Sequence, residues 1–136
     1  MKSGKPSTPK EVLLMVLSTN GIRNQILHYT QKSAEPSPPS GELLVWLTLQ
    51  QCGLLVGYHA SPERFIAQLI TQGFRCYPFP VYAPMPGDIW VSPDQTRMGF
   101  VMPFAENHPY GFGFSNIGLH ELKTEEIGFL LRLGSF

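Results

Sequence analysis

The chain has little charge. Asp, Glu, Lys and Arg make up 15% of its 136 residues, and the ten basic side chains balance the ten acidic ones. No overall field therefore draws it to nucleic acid, whose phosphates call for a basic surface. So low a charge, beside 43% hydrophobic residues, also argues against a disordered chain. Cysteine is nearly absent. Cys52 and Cys76 cannot build a disulfide framework, and neither stands at metal-ligand spacing from His28, His59, His108 or His120. No metal site and no cofactor is expected. Long hydrophobic runs are missing as well. None reaches the ~20 apolar residues of a membrane span. The apolar stretch Val12–Leu17 is too short for a secretory signal, and no small-residue cleavage site follows it. The expectation is synthesis in a cytoplasm without a signal peptide, and no membrane or nucleic-acid partner.

Punctuating residues are plentiful by contrast. Thirteen Gly and thirteen Pro imply many turns and few long helices. The length suits one domain with a real core. Charge is unevenly placed. Residues 1–32 carry Lys2, Lys5, Lys10, Arg23 and Lys32 against Glu11, whereas residues 33–136 carry five basic and nine acidic side chains. Residues 1–10 read as a polar, basic N-terminal arm and residues 11–136 as a single α+β domain. The arm either packs on the domain's own acidic face or docks on an acidic neighbour.

Local signals place the elements. Thr8-Pro9 opens a first helix with Val12, Leu13, Met15, Val16 and Leu17 on its apolar face, and Asn20-Gly21 stops it. Ile22–Gln31 reads as a second short helix, with Ile22, Ile26, Leu27 and Tyr29 facing inward. Ser40 suits the N-cap of a third helix, and Glu42 suits its positive end. Leu43, Leu44, Val45, Trp46, Leu47 and Leu49 make that helix apolar almost all round, which predicts a central, buried position. Ser61-Pro62-Glu63 starts a fourth helix with Phe65, Ile66, Leu69 and Ile70 as its stripe. After Gly73 the pattern turns extended. Strands are predicted at Phe74–Phe79, Ile89–Val91, Gly99–Pro103, Gly111–Phe114 and Gly128–Leu133. Helices first and strands afterwards predict an α+β fold, N-terminal helices packed on a small antiparallel sheet.

Three pieces in order resemble the CHAP and NlpC-type superfamily of papain-like cell-wall amidases and endopeptidases. They are Ser40–Leu54 (SGELLVWLTLQQCGL), Pro86–Val91 (PGDIWV) and Arg97–Val101 (RMGFV). The resemblance spans roughly residues 22–133 and implies a papain-like fold. In that family the first piece opens on the nucleophilic Cys, and the third opens on the His that serves as base. Setting Gly53 on the family's helix-ending Gly places Gly41 on the nucleophile, and Arg97 stands on the His. Asn116, with Ser115, falls where the family often has a polar residue that orients the His. Glycine has no nucleophile, and a guanidinium does not lose its proton in proteins. The resemblance therefore implies a degenerate, non-enzymatic relative with no catalytic residues. Gly41 and Arg97 should still be near neighbours, with Cα atoms roughly 10 Å apart or less.

The remaining candidates are binding residues. Arg97 reads either as a fork for a carboxylate in the vacated groove or as an exposed side chain. Tyr110, Phe112 and Phe114 in His108–Phe114 are either interface anchors or one face of a hairpin. Tyr82 lies in Tyr77–Pro86 (YPFPVYAPMP), a Pro-stiffened strip that would cross the surface. The expected function is a structural or binding module within a larger assembly, such as a phage tail or baseplate or a cell-wall-associated component. Its partners would be other protein subunits, with cell-wall peptide as a further ligand. A virion or an assembled extracellular particle is then the expected destination. The alternative is an active cysteine peptidoglycan amidase or endopeptidase with a relocated nucleophile. An inhibitor or immunity-like factor would carry the same sequence signature.

Overall fold

The computed structural model describes residues 8–33, 41–54, 57, 61–102 and 111–134. Residues 1–7 of the arm, the Ser40 cap, His59, His108 and Tyr110 lie outside the described residues. The fold class is α+β: four helices precede a six-stranded antiparallel sheet.

Helix α1 (Pro9–Ser18) begins as its sequence requires. The Thr8 side chain accepts from the Glu11 N–H, and the Glu11 carboxylate accepts from the Thr8 N–H at 2.8 Å, a capping box with Pro at the first turn. Lys10 therefore belongs to a helix and not to an arm. Helix α2 (Asn20–Ser33) follows after Thr19, the C-cap of α1, so Asn20-Gly21 opens the second helix and does not stop the first. Helix α3 (Gly41–Gln51) buries Leu44, Val45 and Leu49 completely, as its all-round apolar sequence predicts. Helix α4 (Pro62–Thr71) starts at an extended Ser61 and a Pro, but the Ser61 hydroxyl makes no capping bond. Three side chains expected inside lie outside. Met15, Tyr29 and Ile70 are each about half exposed, on the solvent side of an amphipathic helix.

The sheet comprises β1 (Phe74–Pro78), β2 (Ile89–Val91), β3 (Met98–Val101), β4 (Phe112–Ser115), β5 (Gly118–Glu121) and β6 (Phe129–Leu133). Its order is β1-β6-β2-β3-β4-β5. The predicted β2 matches residue for residue, and the other four predicted strands shift by one or two residues. β5 is an addition. It pairs with β4 through a hairpin that places Phe114 opposite Leu119 and Ser115 opposite Gly118, where φ is +95°.

Alternation along the strands divides the core. Ile89, Val91, Met98, Phe100, Phe114, Leu131 and Leu133 face the helices and join Leu13, Leu17, Leu44, Leu49, Phe65 and Leu69. Trp90, Val101 and Leu130 leave the other face and pack with Leu122 and Ile127. Phe79, in the loop after β1, and Tyr77 flank that second cluster.

Candidate functional site

Gly41 occupies the first turn of α3, against β3. A Cβ at this position would overlap the Met98 carbonyl oxygen, and it would stand 3.0 Å from both the backbone carbon and nitrogen of Met98. Standard bond lengths then put the Cα of Arg97 no more than about 7 Å from the Cα of Gly41. The expected proximity is present. The contact is so close, however, that there is no room for a nucleophilic side chain.

The side chains of this pair part company. Met98 faces α3, so Arg97 leaves the opposite side of the sheet. Its guanidinium carbon lies 5.9 Å from the centre of the Trp90 ring, and Nη2 donates to Glu126 Oε2 at 3.2 Å. Arg97 is half exposed and paired there, not directed into a groove beside Gly41. Asn116 lies in the β4–β5 turn, where its carbonyl accepts from Gln31 Nε2 of α2 at 3.4 Å. Gly41, Arg97 and Asn116 therefore do not converge on one cleft.

The aromatic candidates also divide. Phe114 is fully buried among the helix-facing core, and Phe112 is half-buried beside it. Simple hairpin packing accounts for both, so Phe114 offers no contact surface. The loop after β1 does offer one. Val81 is 75% exposed, Met85 49% and Tyr82 45%. Tyr82 is held edge-to-face on Tyr77, with ring centres 5.0 Å apart. An apolar strip thus projects from a braced loop.

Beneath it lies a polar arrangement that sequence reading did not find. Asp88, completely buried at the entry to β2, receives Nε and Nη2 of Arg132, each at 2.9 Å. Its Oδ2 also accepts from the Met85 N–H at 2.9 Å, fixing the Pro-Gly-Asp turn. Arg132 Nη2 donates to the Ala83 carbonyl at 3.1 Å, and its guanidinium stacks 4.5 Å over Tyr77. Hydrogen bonding to Asp88 raises the pKa of Arg132. One buried ion pair thereby anchors the exposed loop to β6.

A Ser–His contact also forms on this face. Ser115 Oγ and His120 Nε2 are 3.3 Å apart. The serine is 1% exposed, and His120 Nδ1 is 4.0 Å from Glu126 Oε2, beyond hydrogen-bond length. Nδ1 faces the Glu121 carbonyl at 3.3 Å instead. A nucleophile must be reachable, and the buried Ser115 hydroxyl is not. The Trp90 indole stands edge-to-face with His120, and its Nε1 has no hydrogen-bond partner among the described residues. The cysteines form no such pair among the described residues. Burial pushes the Cys52 thiol up to about 11, and the exposed Cys76 is raised by the same cause. Among the described residues no group of His, Cys, Asp or Glu is placed to hold a metal ion, and no helix is long and apolar enough to cross a membrane.

Comparison with protein families, with curated proteins and with solved structures finds no match for this chain.

Proposed function

We propose that this chain is a non-catalytic binding or structural module that works by contact within a larger protein assembly. Gly41 carries this reading. The position that the sequence resemblance assigns to a nucleophile is pressed against the Met98 backbone, so a thiol cannot be accommodated without moving α3 off the sheet. Arg97, at the position of the base, is a permanent cation on the other face. The alternative, a relocated nucleophile, has Ser115 beside His120 as its best candidate, and that hydroxyl is closed to solvent.

For contact, the strip Val81–Met85 supplies exposed apolar area on a loop already fixed by Asp88 and Arg132. A fixed strip loses little entropy on docking. Stable association would need on the order of 1,000 Å² of buried surface, so the strip would form the centre of a wider interface. A papain-like fold and a tail, baseplate or cell-wall setting follow from the sequence resemblance and form part of this proposal.

The test has two arms. Purified protein incubated with peptidoglycan fragments should give no cleavage products. Protein recovered from its native source should bring a partner that the double substitution Val81→Asp, Met85→Asp loses, with an unchanged unfolding transition. Hydrolysis by the isolated chain would overturn the proposal, as would a partner retained by that variant.

A further inference from the structure

The end of the sheet beside α1 holds more positive charge than the fold requires. Arg75 of β1 and Arg132 of β6 are direct cross-strand partners, so their side chains leave the same face together. Like charges placed opposite each other in an antiparallel pair destabilise it. Asp88 offsets only one of them, Arg132, by the paired hydrogen bonds described above. Those bonds, with the one to Ala83 and the Tyr77 ring below, fix the guanidinium in place. A guanidinium has five N–H donors. The bonds engage Nε and Nη2, and the two N–H groups of Nη1 have no partner among the described residues.

Lys10, from the first turn of α1, faces the same place. The side chains of Lys10 and Arg75 have no acidic partner among the described residues. The three cations line one recess of about 470 Å³, with Tyr77, Met85 and Leu133 as its less polar walls. With Asp88 cancelling Arg132, the charges of Lys10 and Arg75 are left unbalanced among the described residues.

We propose that this recess binds a phosphate monoester, held by the Nη1 edge of Arg132 together with Arg75 and Lys10. A monoester carries about −1.5 to −2 charges at neutral pH and three strong acceptor oxygens. It therefore balances both free cations, which a single carboxylate does not. The recess is larger than a bare phosphate needs and lies within the ~300–1,000 Å³ of small-ligand sites. The apolar walls suit the organic group that the phosphate carries. A free phosphorylated metabolite and a phosphorylated protein side chain both present this chemistry. The site shares Met85 with the contact strip but does not require the contact function proposed above.

The experiment is a titration of isotopically labelled full-length protein, followed by amide chemical shifts. One arm uses phenyl phosphate, another a phosphoserine peptide, and a third the same peptide unphosphorylated. Saturable shifts at Arg75, Tyr77, Leu133 and Gly134 are expected, with a Kd of roughly 1 mM or tighter. Arg75→Glu and Lys10→Glu should each weaken binding at least ~10-fold. Arg75 is exposed on β1 and Lys10 is partly exposed on α1, so both substitutions should leave the unfolding transition in place. Binding of phenyl phosphate assigns the site to free monoesters. Binding of the phosphopeptide alone assigns it to a modified protein. The proposal is overturned if neither saturates, if the unphosphorylated peptide binds equally well, or if both charge reversals leave the affinity unchanged.

Discussion

Replacing Gly41 with Ala tests the close approach of α3 to β3. Two effects oppose each other. In an open helix, Ala is favoured over Gly by about 1 kcal/mol, and by less in the first turn. Against this, the new methyl would meet the Met98 backbone, which cannot rotate away as a side chain can. Met98 belongs to β3, held between β2 and β4. Relief therefore requires α3 to lift, loosening Leu44, Val45 and Leu49 from the core. Overpacking of this kind costs about 1–3 kcal/mol, and more where the neighbour is rigid. The expected net loss is about 2 kcal/mol, or a fall in Tm of roughly 6–10 °C for a domain of this size. Gly21→Ala serves as the control. It also stands at a helix start, but a Cβ there meets nothing within 4 Å. That variant should gain about 0.5–1 kcal/mol. Urea unfolding of both variants, with slopes compared, measures the difference. A Gly41→Ala protein as stable as the parent would refute the close approach of α3 to β3. A nucleophilic side chain would then fit at that position as well.

Asp88→Asn should cost about 3 kcal/mol in urea unfolding by leaving Arg132 without its counter-charge, and Asp88→Leu combined with Arg132→Leu should recover much of that loss. Arg97→Ala should change stability by less than about 0.5 kcal/mol, because its pairing with Glu126 is half exposed. Iodoacetamide at pH 8 should modify the exposed Cys76 well before Cys52, as followed by mass spectrometry. Because the folded state holds Cys52 protonated up to about 11, its contribution to stability is complete below the ordinary thiol pKa and declines between about pH 9 and 11. Paired melts of wild type and Cys52→Ala across that range would reveal the difference. Deleting residues 1–7, which leaves the Thr8 cap intact, should leave the unfolding midpoint within ~0.5 kcal/mol of the parent.

Some of this was legible because local chemistry decides it. β2 is bounded by Pro86-Gly87-Asp88 on one side and Pro93-Asp94 on the other, and its limits could be read directly. The N-terminus of α1 was legible for the same reason. β5 was not, since Gly-Leu-His-Glu has no β-branched residue and becomes a strand by pairing with β4. Met15 and Ile70 were misplaced because apolar type does not guarantee burial. The Asp88–Arg132 pair was beyond reach. The two residues are 44 apart in the chain, and nothing local states that β6 lies beside β2. Gly41 could be noticed as a glycine opening an otherwise apolar helix. Only the packed structure supplies the Met98 carbonyl that makes a larger residue intolerable.

The strand order carries a consequence for the growing polypeptide. β6 is last in sequence, yet it lies between β1 and β2. Until Leu133 has left the ribosome, β1 has no neighbour on either side, and β2 has one partner instead of two. An incomplete chain thus exposes the two strand edges that β6 would cover, along with the apolar row Ile89–Val91. Closure of the sheet is deferred to the last of its six described strands. A stop codon a few residues before Phe129 would therefore be expected to give an aggregating protein.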